Sequence, residues 1–530
     1  MPNRSPVPVV HFRSFANLDL QAELGLVRPP FSPLNAYRQL QYVQEYARDL
    51  GCKSVVIEQH YIDRDHIEDH SIFYSKSLLG YPNFCQRVHF FSLDENELQA
   101  SFDQILCKDA LSGESVYRNA CREFSKKAYL GFSVIKPLHG SPVGRTVMKC
   151  CPEVPGDPSK AASFRRLFSC TRRYVSHLIG IELHVDGLAF QQQDIGVSAC
   201  ATTALWSALQ SFRNHEELAP ATPAQITTLA VRYSLPFGRA MPSEGLSLDQ
   251  MCQAVQALGV SPNLFRVQDD AALAKSILFS AVRSGIAPIL ILTLRSNSRH
   301  AVTVAGIKVR AQATGAAVVA RKADGEPEYN LDAWDLGDDL LGVYVHDDRY
   351  GPYLAAAVIQ KGFAPSLSVQ LRGEAVPDEW ELTHILLPMH GKVRLSFSAL
   401  RQIALEVALA AVACGKKIAA VVPQLKLEPR VQFDVKVLRA HKYVEELVVG
   451  ANADSVDRAR RLVKEVAMAR YLAVIYLEGE FFDPIDVLID TTNTSRNAYC
   501  LAVVARGKAN PLTKAVMTYL CKQLNCAAIA

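Results

Sequence analysis

Apolar residues recur along this chain at two spacings. Between Ala36 and Leu50, the positions Leu40, Val43, Tyr46 and Ala47 fall three or four apart and predict an amphipathic helix. Short apolar runs at Ser54–Ile57 and Leu130–Pro137 predict strands. Residues 200–213 carry Leu205, Ala208, Leu209 and Phe212 on one helical face. Leu246–Leu258 and Ala272–Ser284 read as two further helices, and Gly259 stands where a left-handed helix cap belongs. The run Ala287–Leu294 is continuously apolar and predicts a buried strand, followed by strands at Ala301–Val309 and Leu341–Val345. The polar stretch Arg310–Gly337 between the last two reads as an insertion. Beyond residue 380, short strands are predicted at Ile385–Pro388, Val393–Leu395, Val435–Leu438, Leu472–Leu477, Ile485–Ile489 and Leu501–Val504. Helices are predicted at Ser396–Cys414, Asp454–Arg470 and Leu512–Leu524. The fold class is α+β, in three blocks: an N-terminal domain over 1–178, a central domain over 179–365 and a C-terminal domain over 366–530.

Composition narrows the function. The 530 residues are 49% hydrophobic and 21% charged, an ordinary globular balance. Lys+Arg 57 against Asp+Glu 53 leaves no basic surplus, and the one local run is Arg165, Arg166, Arg172 and Arg173. No nucleic-acid partner is therefore expected. The start MPNRSPVPVVHFRSF lacks an apolar core, so no secretory signal is expected. The longest apolar stretch, Ile403–Val422, is broken by Glu406, Lys416 and Lys417, so no membrane partner is expected either. Thirteen cysteines occur at irregular spacing without a CxxC pair. That pattern points to free thiols in a reducing cytoplasm rather than to disulfides or a zinc knuckle. The stretch HYIDRDHIEDH puts His66 and His70 four apart on one helix face, near His60. It is not HExxH and has no nameable third ligand. The reading preferred here is a solvated helix start with carboxylates in its first turns. No metal and no cofactor are called for.

One ordered set carries chemistry. Gln191-Gln192-Gln193-Asp194 leads through a loop containing Gly196 to Cys200, at the start of the helix ATTALWSALQSF. A helix N-terminus presents unpaired N–H groups and partial positive charge, which favour a thiolate and an oxyanion. His300 opens the strand HAVTVAGIKV, and Asp347 closes the strand LLGVYVHDD. Asp347 continues the Leu341, Val343, Val345 face, whereas Asp348 shares its face with Tyr344 and His346. Asp347 is therefore the expected partner of the imidazole, with Asp348 as the alternative.

The chain order Gln, Cys on a helix, His on a strand, Asp on the next strand resembles the papain-like cysteine peptidases of the bacteriocin-processing (C39) type and their relatives. The resemblance covers about 180–365 and rests on the Gln-rich approach, SACATTALWSAL, Arg299-His300-Ala301-Val302 and HDDRYGPY. It implies a Cys-bearing helix packed on an antiparallel sheet bearing His and Asp. By the motif, Cys200 is the nucleophile, His300 the base, Asp347 the orienting acid and Gln193 the oxyanion donor, with Gln192 as its alternative. The family's Asp-Cys-Gly is replaced here by Ala199-Cys200-Ala201, and the insertion lengthens the His-to-Asp gap. The implied activity is hydrolysis of a peptide or isopeptide bond in a protein or peptide substrate. The flanking domains would receive a regulatory protein partner. Acyl transfer on the same triad and a non-catalytic interaction module are the alternatives.

Overall fold

A computed structural model describes residues 10–26, 37–78, 80–112, 114–138, 140–150, 163–194, 199–212, 221–232, 245–311, 317–321, 327–330, 332–371, 374–449, 453–493 and 499–530. Its first sheet has five antiparallel strands in chain order: Val10–Ser14, Ser54–Tyr61, Cys85–Phe91, Tyr129–Ile135 and Val143–Met148. The strand Tyr129–Ile135 is buried along its whole length, which is why it reads as a continuous apolar run. The helix Arg38–Asp49 buries Leu40, Val43, Tyr46 and Ala47, the face its spacing predicts.

The middle of the chain closes into a six-stranded antiparallel barrel. Its strands are Ile289–Thr293, Arg299–Arg310, Leu340–Asp347, Gly351–Lys361, Ala364–Val369 and Asp378–Met389. Closure comes from the last strand pairing with the first, Leu386 opposite Ile289. Strands Phe164–Leu167 and Ser261–Arg266 add to this sheet outside the ring. Residue 365 thus falls inside the barrel, at the start of its fifth strand. Closure buries both faces of the strands. Val343, Tyr344, Val345, His346 and Asp347 are all buried, whichever way they point. The helix Cys200–Phe212 lies against the barrel, buried from Ala201 onward. Helices Leu248–Ala257 and Ala271–Arg283 follow, and Gly259 takes φ +80 just past the first of them, the left-handed position its place in the sequence predicts.

The stretch 310–337 is not only a loop. Its described part contains a hairpin, Ala317–Arg321 with Pro327–Asn330, and the strand Ala333–Asp335. That last strand pairs in parallel with Val431–Arg439 and so joins the C-terminal sheet. The sheet continues through Tyr471–Gly479, Phe482–Asp490, Cys500–Ala505 and Ala527–Ile529. Helices Phe397–Val421 and Pro511–Leu524 pack on it. The predicted strand at Val393–Leu395 does not form; Arg394 N–H instead donates to Thr491 O at 2.8 Å. One apolar core runs from Phe15, just past the first strand of the first sheet, through the barrel to Leu520. Among the described residues no helix is long and apolar enough to cross a membrane.

Candidate active site

Thr203 N–H donates to Ala199 O at 3.1 Å, so helical winding starts at the residue before Cys200. Cys200 therefore occupies the first turn, at the positive end of the helix dipole. It is half-buried, and its thiol is among the neighbouring groups that raise His300. One further bond fixes helix to strand. Thr303 Oγ1 donates to Ala204 O at 2.7 Å, three residues after His300 and four after Cys200.

The other edge of the imidazole is tied down. His300 Nε2–H donates to Asp347 Oδ1 at 3.1 Å, which leaves Nδ1 for the thiol. Asp347 is fully buried, and it also accepts the Arg349 main-chain N–H at 2.8 Å and the Arg349 Nη2 at 3.2 Å. Asp348 is buried as well, with Oδ1 3.6 Å from His300 Nε2, beyond a hydrogen bond. Trp380 meets the imidazole edge-on, with ring centroids 6.4 Å apart.

These contacts set the charges. Burial by itself disfavours the imidazolium. The charges of Asp347 and Asp348, with the bonds to Asp347 and Cys200, outweigh it and raise His300 to about 10. Burial alone would push the Asp347 carboxyl up, but His300 and Arg349 hold it well below the usual carboxylate range. Asp348 lacks such bonds, and burial with the neighbouring Asp347 charge pushes it up to about 6. His300 is thus a cation at neutral pH, flanked by a thiol on one side and a carboxylate on the other.

The three glutamines of the approach separate. Gln192 is buried and spent: its Oε1 accepts Val143 N–H at 3.3 Å, and its Nε2 donates to Gly140 O at 3.1 Å. Gln193 is exposed, and Gln191 is buried with both amide atoms lacking a partner among the described residues. Residues 195–198, between Asp194 and the helix, lie outside the described residues. Asp194 itself is buried beside Lys136, whose Nζ lies 3.8 Å from Asp194 Oδ2 and 3.5 Å from Asp69 Oδ2. The N-terminal sheet therefore grips the approach to the nucleophile.

Sequence reasoning did not single out Arg349, the clamp on Asp347, although it is the second residue after it. Nor did it single out Trp380, which is 80 positions from His300 and reaches it only because the barrel closes. The histidines of the 60–70 stretch do not gather into a ligand set. His66 Nε2 and His70 Nε2 each face a main-chain carbonyl, Pro82 O at 3.0 Å and Tyr81 O at 2.9 Å, and the His60 ring lies on Phe84. The reading of this stretch as a solvated helix start needs correction. Asp63, Asp65, His66 and Asp69 are buried, because the helix Arg64–Ile72 docks on the helices Cys200–Phe212 and Pro223–Ala230. Trp206 Nε1 donates to Asp65 Oδ2 at 3.2 Å, and Ala224 N–H donates to Asp69 Oδ1 at 3.2 Å. Among the described residues the close group of three ligand-type side chains is His300, Asp347 and Asp348, and ion pairing with the imidazolium accounts for it. Compared with known proteins, the chain matches no family model and no curated protein.

Proposed function

We propose that the chain is a papain-like cysteine peptidase whose nucleophile is Cys200. One observation carries this reading: a half-buried thiol in the first turn of a helix neighbours an imidazole that is bonded to a buried carboxylate. The cationic His300 beside Cys200 offsets the charge of the thiolate nucleophile in the reaction. The thiolate attacks a peptide or isopeptide carbonyl, forming a C–S bond. The Cys200 main-chain N–H and Gln193 are the donors offered to the oxyanion. As the C–N bond breaks, His300 gives its proton to the leaving amine. Water then attacks the thioester while His300 takes the proton, and Cys200 leaves as thiolate. Asp347 keeps the Nε2–H tautomer throughout. The twelve described cysteines are free thiols.

The test is hydrolysis of unfolded protein substrates by wild type and Cys200→Ala. Loss of at least about 10³-fold in kcat with an unchanged melting temperature is expected. Hydrolysis that survives the substitution overturns the assignment. Added amine acceptors distinguish hydrolysis from acyl transfer, since transfer diverts the thioester into amide product.

A further inference from the structure

The register of two barrel strands slips once, beside Asp347. The strands Leu340–Asp347 and Gly351–Lys361 pair in regular antiparallel order from Gly342 opposite Ala357 to Val345 opposite Leu354. In unbroken register Asp347 would then stand opposite Pro352, which has no N–H to give the ladder. Asp347 stands opposite Gly351 instead. One residue, His346, therefore faces two, Pro352 and Tyr353, which is a β-bulge in the second strand. Tyr353 takes φ +55, the left-handed conformation that glycine usually supplies at a bulge. A buried tyrosine holds it only where its surroundings over-determine it. They do so here. The Tyr353 ring lies parallel on Tyr46 of the helix Arg38–Asp49, with centroids 5.6 Å apart, and edge-on to His346 at 4.8 Å. Its hydroxyl accepts Leu188 N–H at 2.9 Å and donates to Met148 O at 3.2 Å, which ties it to the last strand of the N-terminal sheet. Ser207 Oγ donates to Ala189 O at 2.7 Å and accepts His346 Nδ1–H at 3.3 Å, two turns along the helix from Cys200.

We propose that Tyr353 is a positioning residue, whose bulge aims the Asp347 carboxylate at His300. Bulges beside a site re-aim the side chains next to them. The slip sets Asp347 at the start of a tight turn, in which Tyr350 N–H donates to Asp347 O at 3.0 Å, and there Asp347 Oδ1 meets His300 Nε2 at 3.1 Å. His346, the residue before Asp347, is pinned between the Tyr353 ring and the helix that carries Cys200. Tyr353 thus ties the strand of the acid to the helix of the nucleophile. Its consequence for turnover rests on the peptidase reading, and its consequence for the imidazole rests on the geometry alone. The ionisable groups that set His300 are Cys200, Asp347 and Asp348, with Arg349 held on Asp347. Tyr353 is not among them, so removing its ring acts on His300 through where those groups stand.

The experiment follows the His300 imidazole by NMR in the histidine-labelled full chain, with His300→Gln assigning the signal, beside kcat and KM on an unfolded protein substrate. The wild-type midpoint should lie near 10, and the control Asp347→Asn should bring it toward 6.5. Tyr353→Gly permits the left-handed backbone but removes the ring and the hydroxyl. It should lower the midpoint in the same direction as Asp347→Asn and cut kcat by about 10²-fold with KM unchanged, the loss that a misplacement of about 1 Å brings. Tyr353→Phe keeps the ring against Tyr46 and His346 without the anchor on Leu188 and Met148, and should fall between Tyr353→Gly and wild type in both measurements. A lower melting temperature with the wild-type midpoint and kcat marks a merely structural role and overturns the proposal. Tyr353→Phe decides the matter by the same criterion if the glycine variant does not fold. If wild type turns over no peptide, the peptidase reading fails, and the midpoints still decide whether the bulge aims Asp347.

Discussion

His300 lies between two buried carboxylates that differ in one respect. Asp347 shares a hydrogen bond with it, and Asp348 does not. The alternation of Leu341, Val343, Val345 and Asp347 favours Asp347 from the sequence, but the closed barrel buries both faces, so burial does not separate the two acids. The bond does. Asp347→Asn should lower kcat/KM by about 10²–10⁴-fold and move the alkaline limb of the rate profile, which His300 sets at about 10, to lower pH. Asp348→Asn should lower kcat by less than about tenfold, with a smaller shift of the same limb. Equal losses in the two variants would remove the distinction. The same imidazole links pH to stability. Its folded value lies above its ordinary 6.5, so the stabilisation is fully present below 6.5 and is lost as pH rises through about 10. Urea midpoints across that window should fall more steeply for wild type than for His300→Gln.

At the scale of elements, two contacts from the N-terminal domain support the site. The helix Arg38–Asp49 backs the turn that carries the acids. Gln39 Nε2 donates to Asp348 O at 3.1 Å, Arg38 stacks 4.1 Å over Tyr350, and a Cβ on Gly351 would stand 2.1 Å from the Tyr42 ring. Gly351→Ala forces that helix or the turn to shift, at a cost of about 1–3 kcal/mol and with slower alkylation of Cys200 by iodoacetamide. Unchanged stability together with unchanged alkylation would show that the helix does not brace the turn. Lys136 is the second contact. Lys136→Met leaves Asp69 and Asp194 buried without their cation, a loss of about 3–5 kcal/mol in denaturant unfolding. Burial already pushes Asp69 up to about 7, so protonation relieves the variant at low pH and its deficit should grow as pH rises through neutrality. This interface was illegible in the sequence for a physical reason. HYIDRDHIEDH is as polar as a solvated helix, and its partners Lys136, Arg145 and Trp206 lie far along the chain. The helices and strands around Cys200 and His300 were legible because their apolar residues are clustered locally along the chain, even where, as in the helix Cys200–Phe212 and the strand Ile289–Thr293, burial is not confined to one face.

The whole molecule sets the limit on how far the site can be separated from its surroundings. A unit cut at 179–365 contains Cys200, His300 and Asp347. It lacks the strand Asp378–Met389 and nearly all of Ala364–Val369, so the edges of Ile289–Thr293 and Gly351–Lys361 would stand open. An open apolar edge is a template for aggregation. The cut also removes Trp380 from beside His300 and uncovers the helix Ala271–Arg283. That helix meets the C-terminal sheet through Arg283 Nη1 to Asp434 Oδ2 at 3.0 Å, and through Val437 N–H, which donates to Ser284 Oγ at 2.8 Å. On the other side it removes Lys136, the cation beside the retained and buried Asp194. Local periodicity marks where strands begin and end, but closure of a barrel is a pairing between residues about a hundred positions apart and leaves no periodic trace. The fragment 179–365 should therefore be insoluble or melt without a cooperative transition, while the full chain unfolds with the barrel and both flanking sheets coupled. Calorimetry and Cys200 alkylation on both proteins check this. A monomeric fragment that melts cooperatively and alkylates at the full-chain rate would show that the flanks regulate the site without being needed to build it.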